Sequence, residues 1–264
     1  MLLEGKRAVV YGAGGPIGGA VARAFAREGA VVYLAGRTEA RLAPVAEAIN
    51  AAGGRAETAA LDVLDEAAVM DHVDGMASTA GGIDVSFNAI GHGDVHGTPL
   101  ADMSFDDFAR PLMTAIRAQF LTARAAARHM RRQGSGVILA ITATTARLAV
   151  PNVGGTAVTF DALESLCRHL ASELGPSGIR VLWLRTTGIP EAFHDTGEPL
   201  PDYGAGLGPD ATAQDHLDWM KSKTLLRRLT TLDEVGRAAA FVASDHAATM
   251  TACAVNLSAG SVRD

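Results

Sequence analysis

The stretch "RAVVYGAGGPIGGAVARAFAREGA", Arg7 to Ala30, decides the fold. Ala8 to Tyr11 are apolar throughout, the pattern of a strand covered on both faces, and the run ends at Gly12. From Ala20 onward apolar residues recur at helical spacing until Gly29 stops the helix. Between strand and helix lies a glycine turn. Gly12, Gly14 and Gly15 let the chain reverse sharply and approach a ligand closely. The following helix turns free N–H groups, those of Ile17 and Gly18 among them, and its dipole toward an anion. Pro16 fits the first helical position, where no donor is required. In this strand–turn–helix setting the glycines predict a site for a dinucleotide pyrophosphate.

The same alternation continues outward. "VVYLAG" (31–36) reads as a second strand, followed by a helix with Thr38 as N-cap and Gly53 as stop. Pro44 lies well inside that helix and predicts a kink or a late start. Further strands are read at 55–63, 83–90, 136–142, 179–185 and 252–258. Helices are read at 65–82, about 104–132, from 154 onward and near 231–244. Alternating β and α elements imply a parallel sheet covered on both faces. The expected fold is therefore α/β: one Rossmann-type doubly wound domain over residues 1–264, with about seven strands. Residues 188–224 are rich in proline and glycine and read as irregular. Such a length is unusual for a plain connection and predicts a substrate lid.

Composition bounds the remaining classes. Of 264 residues, 48% are hydrophobic and 20% charged, enough for a large core and too apolar for disorder. A net charge of −6 without a basic run argues against nucleic acid as partner. The start has Glu4, Lys6 and Arg7 before any long apolar run, unlike a signal peptide, and no stretch reaches the ~20 apolar residues of a membrane span. Cys167 and Cys253 lie in apolar surroundings and read as buried free thiols. A soluble, cytoplasmic protein acting on a small molecule is expected.

The end of the second strand selects the cofactor. An acid there would accept bonds from the ribose hydroxyl of NAD(H). "AGRTEAR" offers Gly36 and then Arg37, a cation suited to a phosphate. NADP(H) is favoured over NAD(H).

With these elements in place, the whole chain resembles the short-chain dehydrogenase/reductase family. "YGAGGPIG" (11–18) corresponds to its Thr-Gly-x-x-x-Gly-x-Gly turn, with Tyr11 and Pro16 as departures. "LDV" (61–63) matches the pair that contacts adenine, which assigns that role to Asp62 and Val63. "FNAI" (87–90) stands for Asn-Asn-Ala-Gly and keeps Asn88 and Ala89 as cofactor neighbours. "GIRVLWLRTTGI" (178–189) stands for the sixth strand and its Pro-Gly turn, with Thr186 and Thr187 in the turn. Ile189, just beyond, joins the cofactor wall on the same resemblance. Residues 225–260 are very similar to the family's C-terminal segment. The resemblance implies hydride transfer between nicotinamide and a carbonyl carbon, and self-association as homodimer or homotetramer.

It also implies four catalytic positions: Asn on the long helix, Ser after the fifth strand, and a Tyr with a Lys one helical turn later. "FLTARAAARHM" (120–130) places the Asn position at Ala115. "GVILAITATTA" (136–146) places the Ser position at Ala143, although a slip of one residue brings Thr142 or Thr144 there. The Tyr and Lys positions fall at Thr156 and Phe160 in "GGTAVTFDAL" (154–163). The expected proton relay is missing. A threonine hydroxyl is a poor acid, and Phe160 cannot hold ribose by charge.

Other groups near the carboxyl edge are candidates to replace it. "GHGDVHG" (91–97) supplies His92, Asp94 and His96, a possible acid–base set, since His titrates near pH ~6.5. No fourth ligand is evident, so no metal site is expected. Arg117 and Arg147 are read as facing the cleft, His194 and Asp195 as lid residues, and Asp161 as a weak substitute for the Lys. Three readings stay open: an oxidoreductase with a relocated acid, handling an activated C=O or C=C; a non-catalytic NADP(H)-binding sensor or partner subunit; and a non-redox cyclase or isomerase.

Overall fold

The computed structural model describes residues 1–193, 203, 206, 207 and 211–263. Alternating elements place β1 (Arg7–Tyr11), α1 (Pro16–Arg27), β2 (Val31–Gly36), α2 (Glu39–Ala51), β3 (Arg55–Ala60) and α3 (Glu66–Ala80) in the first half. The second half adds β4 (Val85–Asn88), α4 (Phe105–Gln133), β5 (Gly136–Ala143), α5 (Thr156–Leu174) and β6 (Ile179–Thr186). It closes with α6 (Pro190–Phe193), α7 (Ala213–Ser222), α8 (Leu232–Ala243) and β7 (Ala254–Leu257). The seven strands form one sheet in the order β3-β2-β1-β4-β5-β6-β7, and every pairing is parallel.

Strand side chains alternate between faces, and the two cores follow from that. From β1, Ala8 and Val10 pack with Phe25 of α1 and Val235 and Ala239 of α8. Val9 and Tyr11 point the other way, with Ala126 and Met130 of α4 and Cys167 and Ala171 of α5. Helices thus cover both faces. The direction of winding reverses between β1 and β4, so their carboxyl ends splay apart and leave a crevice.

Several expectations need correction. Pro44 does not delay α2, which is helical from Glu39 to Ala51. Proline at this sixth helical position withholds one N–H from the Ala40 carbonyl, and the apolar face formed by Leu42, Val45, Ala46 and Ile49 still packs against the core. Several strands are shorter than read: β3 stops at Ala60 and β4 at Asn88. Residues 188–224 are not wholly irregular, because α6 and α7 lie within them. Thr212 and Asp215 form a reciprocal capping box that starts α7. Cys167 is buried as expected, but Cys253 is only half-buried. Among the described residues no helix is long and apolar enough to cross a membrane.

Candidate active site

The loops after β1, β4, β5 and β6 enclose a cavity of about 790 Å³ at the carboxyl edge of the sheet. Gly12, Gly14, Gly15 and Ile17 line one end of it. Gly12 adopts φ +75°, and a Cβ there would lie 2.5 Å from the Ala89 carbonyl. A Cβ on Gly14 would lie 2.8 Å from Cβ of Arg41. Glycine at these positions lets β4 and α2 close on the turn. Gly18 does not line the cavity; it packs against the Gly12 carbonyl. The first turn of α1 has no side-chain cap and no acidic residue, so its N–H groups stay available to an anion.

Arg37 lines the same end and is exposed, with no hydrogen-bond or ion-pair partner among the described residues. Arg41 is a second such cation, unnoticed in the sequence reading. Its signal was its place: one helical turn beyond Arg37, in the first turn of α2. Asp62, Val63, Ala89 and Ile189 also line the cavity. Asp62 accepts from the Leu64 N–H at 2.9 Å. Asn88 lies beneath the wall, donating to Thr122 Oγ1 at 3.2 Å and accepting from the Ile90 N–H at 3.2 Å. Its part is to shape the loop after β4.

At the other end, Ala143 closes β5 and pairs in register with Thr186. Ala115 is buried in α4; its neighbour Thr114 reaches the cavity instead. Thr156 opens α5, and Phe160 follows one turn later with its ring edge-on to His92, centroids 5.8 Å apart. The hydroxyl of Thr145, on the same wall, is buried without a partner among the described residues.

Thr156 is held in a chain of hydrogen bonds. Its hydroxyl lies 2.9 Å from Asp94 Oδ1 and 3.0 Å from His96 Nε2. His96 Nδ1 lies 3.2 Å from the hydroxyl of Tyr203, a cavity residue the sequence reading missed. The direction of these bonds follows from donor inventory. A carboxylate only accepts, so Thr156 donates to Asp94. The threonine oxygen must then accept from His96, which places the neutral imidazole proton on Nε2. Nδ1 is left as an acceptor, so Tyr203 donates to it.

Two glycines permit this assembly. Gly154 adopts φ +56°, and a Cβ there would lie 2.5 Å from the Val95 carbonyl. A Cβ on Gly155 would collide with the Phe108 carbonyl. The loop carrying Asp94 and His96 and the start of α4 therefore press on the N-terminus of α5. Burial holds His92 and His96 below the ordinary imidazole pKa, partly opposed by the Asp94 charge. Burial, reinforced by Asp94, pushes the Tyr203 phenol up to about 12. Among the described residues His92, Asp94 and His96 do not form a group able to hold a metal ion.

Residues 12–190 match the family described as "Enoyl-(Acyl carrier protein) reductase". The chain is 31% identical over 244 residues to the gluconate 5-dehydrogenase of Gluconobacter oxydans, covering 92% of this chain and 89% of that one. The chain belongs to the short-chain dehydrogenase/reductase family. Its fold superposes on NAD+-bound xylitol dehydrogenase with a TM-score of 0.88 at 26% identity, covering 98% of this chain and 100% of the other. A gluconate 5-dehydrogenase from Burkholderia cenocepacia, solved with NADP and tartrate, gives 0.83 at 27% identity, with 97% and 95% covered.

In this member of the short-chain dehydrogenase/reductase family, a buried ion pair lies behind the cavity wall. Glu164, two turns beyond Thr156 on α5, accepts from Nε and Nη2 of Arg185 at 2.7 Å each. Thr142 donates to the same carboxylate at 3.2 Å, and Arg147 lies 3.3 Å from it. Arg147 therefore faces Glu164 rather than the cleft. Arg117 does not line the cavity itself and donates to the carbonyl of Leu64, which does, at 2.9 Å. Asp161 is exposed and does not line the cavity. His194 and Asp195 lie outside the described residues.

Proposed function

We propose that this protein is an NADP(H)-dependent oxidoreductase acting on an alcohol/carbonyl pair, with a proton donor other than the helix-borne Tyr and Lys. The observation that carries the reading is the Asp94–Thr156–His96 chain, which puts a titratable imidazole at the place where the resemblance expects a tyrosine. The residues present fit a nicotinamide dinucleotide. The uncapped α1 N-terminus and glycine turn suit its pyrophosphate, Asp62 and Val63 suit its adenine, and Arg37 with Arg41 suits a ribose phosphate. When bound, such a cofactor supplies a hydride donor or acceptor. This chain's residues orient the substrate and move its proton.

Phe193, Tyr203, Trp219 and Met220 line the cavity from 188–224, which supports that segment as the substrate cover. Exposed Met113 and Phe120 on α4 and Val158 on α5 support a homodimer or homotetramer. One domain over 1–264 and a cytoplasmic setting complete the proposal. Calorimetric titration tests it: NADPH should bind at least tenfold more tightly than NADH, and absence of NADPH binding would sink it. A second reading, a non-catalytic NADP(H)-binding subunit, draws on Phe160, an apolar ring where the resemblance expects a ribose-holding cation. That reading predicts tight NADPH binding with no NADPH consumption on any carbonyl.

A further inference from the structure

We propose that Tyr203, brought from the 188–224 segment, is the catalytic acid–base residue of this enzyme, and that His96, Thr156 and Asp94 form the relay behind it. The inference rests on the nicotinamide reading above and adds the group that touches substrate. Tyr203 lines the cavity and is half-buried, and its hydroxyl lies 3.2 Å from His96 Nδ1. Its ring meets the imidazole edge-on at 5.7 Å, which restricts both rings.

The direction of the hydrogen bonds gives the chemistry. Asp94 fixes Thr156 as its donor, Thr156 fixes the Nε2–H tautomer of His96, and the free Nδ1 accepts from Tyr203. The phenol oxygen therefore keeps its lone pairs for a substrate hydroxyl. A neutral phenol is a poor base by itself, and the adjacent imidazole gives its proton a place to go. In alcohol oxidation, the acceptor for the carbinol hydrogen and its electron pair would be supplied by an oxidised nicotinamide held at the glycine turn. The substrate O–H bond breaks, its electrons form the C=O bond, and its proton passes to the Tyr203 oxygen. The phenol's own proton passes to Nδ1 of His96. The resulting imidazolium is held from Nε2–H through Thr156 to the Asp94 carboxylate. Carbonyl reduction runs the same path in reverse.

The test uses the full-length protein, NADPH and phenanthrenequinone, an activated dicarbonyl. Tyr203→Phe should retain NADPH affinity within twofold and lose ~10²–10⁴-fold in single-turnover NADPH oxidation. His96→Asn should lose a similar factor, and the double variant no more than the worse single one, as expected of groups acting as a unit. A Y203F rate within threefold of the parent overturns the proposal. The second measurement needs no turnover: NMR of protein labelled with heavy nitrogen at histidine. His96, identified by its loss in H96N, should carry its proton on Nε2, and Y203F should move the Nδ1 resonance without changing the tautomer. Ring nitrogens unmoved by Y203F overturn the relay. Failure of NADPH to bind overturns the nicotinamide reading alone, and the NMR result still decides the Tyr203–His96 link.

Discussion

The two ends of the cavity are built by different means. At the glycine turn the anion-facing groups are backbone N–H groups at the start of α1, and the glycines act by leaving space. At the other end the polar groups are side chains from three separate places: Asp94 and His96 after β4, Thr156 at the start of α5, and Tyr203. A backbone site persists as long as the turn folds. A side-chain site depends on each element that carries a member, and it can be reassigned one residue at a time. The contrast is what the proposed pairing of a dinucleotide end with a relocated proton relay requires.

The largest expected effect strikes the support beneath the relay. Glu164→Ala removes the carboxylate that accepts two hydrogen bonds from the buried Arg185 guanidinium. Urea unfolding should show a loss of about 3–5 kcal/mol. A loss below about 1 kcal/mol would mean that water or another group reaches Arg185. The cofactor end is sharpened by Arg37→Ala and Arg41→Ala. Each removes a cation suited to phosphate, a bond of about 1.5–3 kcal/mol. Each should weaken NADPH about 10–100-fold in calorimetry and leave NADH within about threefold; equal losses for both cofactors would break the assignment.

Gly155→Ala puts a methyl group against the Phe108 carbonyl and pushes α5 from its seat. A stability loss of about 1–3 kcal/mol is expected, with His96 losing its Nε2–H preference in nitrogen NMR. The smallest effect concerns His72, whose pKa burial lowers and whose Nε2 has no partner among the described residues. The unfolded chain takes up this proton first, so stability is intact above the ordinary value of about 6.5 and falls as pH drops from there toward the lower folded value. His72→Leu should flatten the melting temperature between pH ~6.5 and ~5; an unchanged slope would assign the acid loss to other groups, His92 and His96 among them.

Much of the fold was legible because one strand covered on both faces and one amphipathic helix each leave a local signature, and strict alternation of the two leaves few sheets to choose from. That the glycine turn and Arg37 lie at one end of the cavity was legible for the same reason, since they follow neighbouring strands. The place of Arg41 there was not, since it depends on α2 closing over Gly14. Tyr203 has no periodic context and meets His96 across 107 residues, a contact only tertiary folding creates. A signal for the buried ion pair existed: Arg185 interrupts the otherwise apolar "VLWLR" (181–185), and a charge on a central strand needs a partner. Pro44 went the other way. Its local penalty was legible, but the packing of the whole α2 face outweighed it.

The central claim is that proton handling runs from Tyr203 to His96, with the Thr156 hydroxyl fixing the imidazole against Asp94. Thr156→Val keeps the shape and removes that hydroxyl. The account predicts that NADPH oxidation with phenanthrenequinone falls about 10²-fold or more while NADPH affinity stays within twofold. A Thr156→Val protein that binds NADPH and turns over at the parent rate would contradict it.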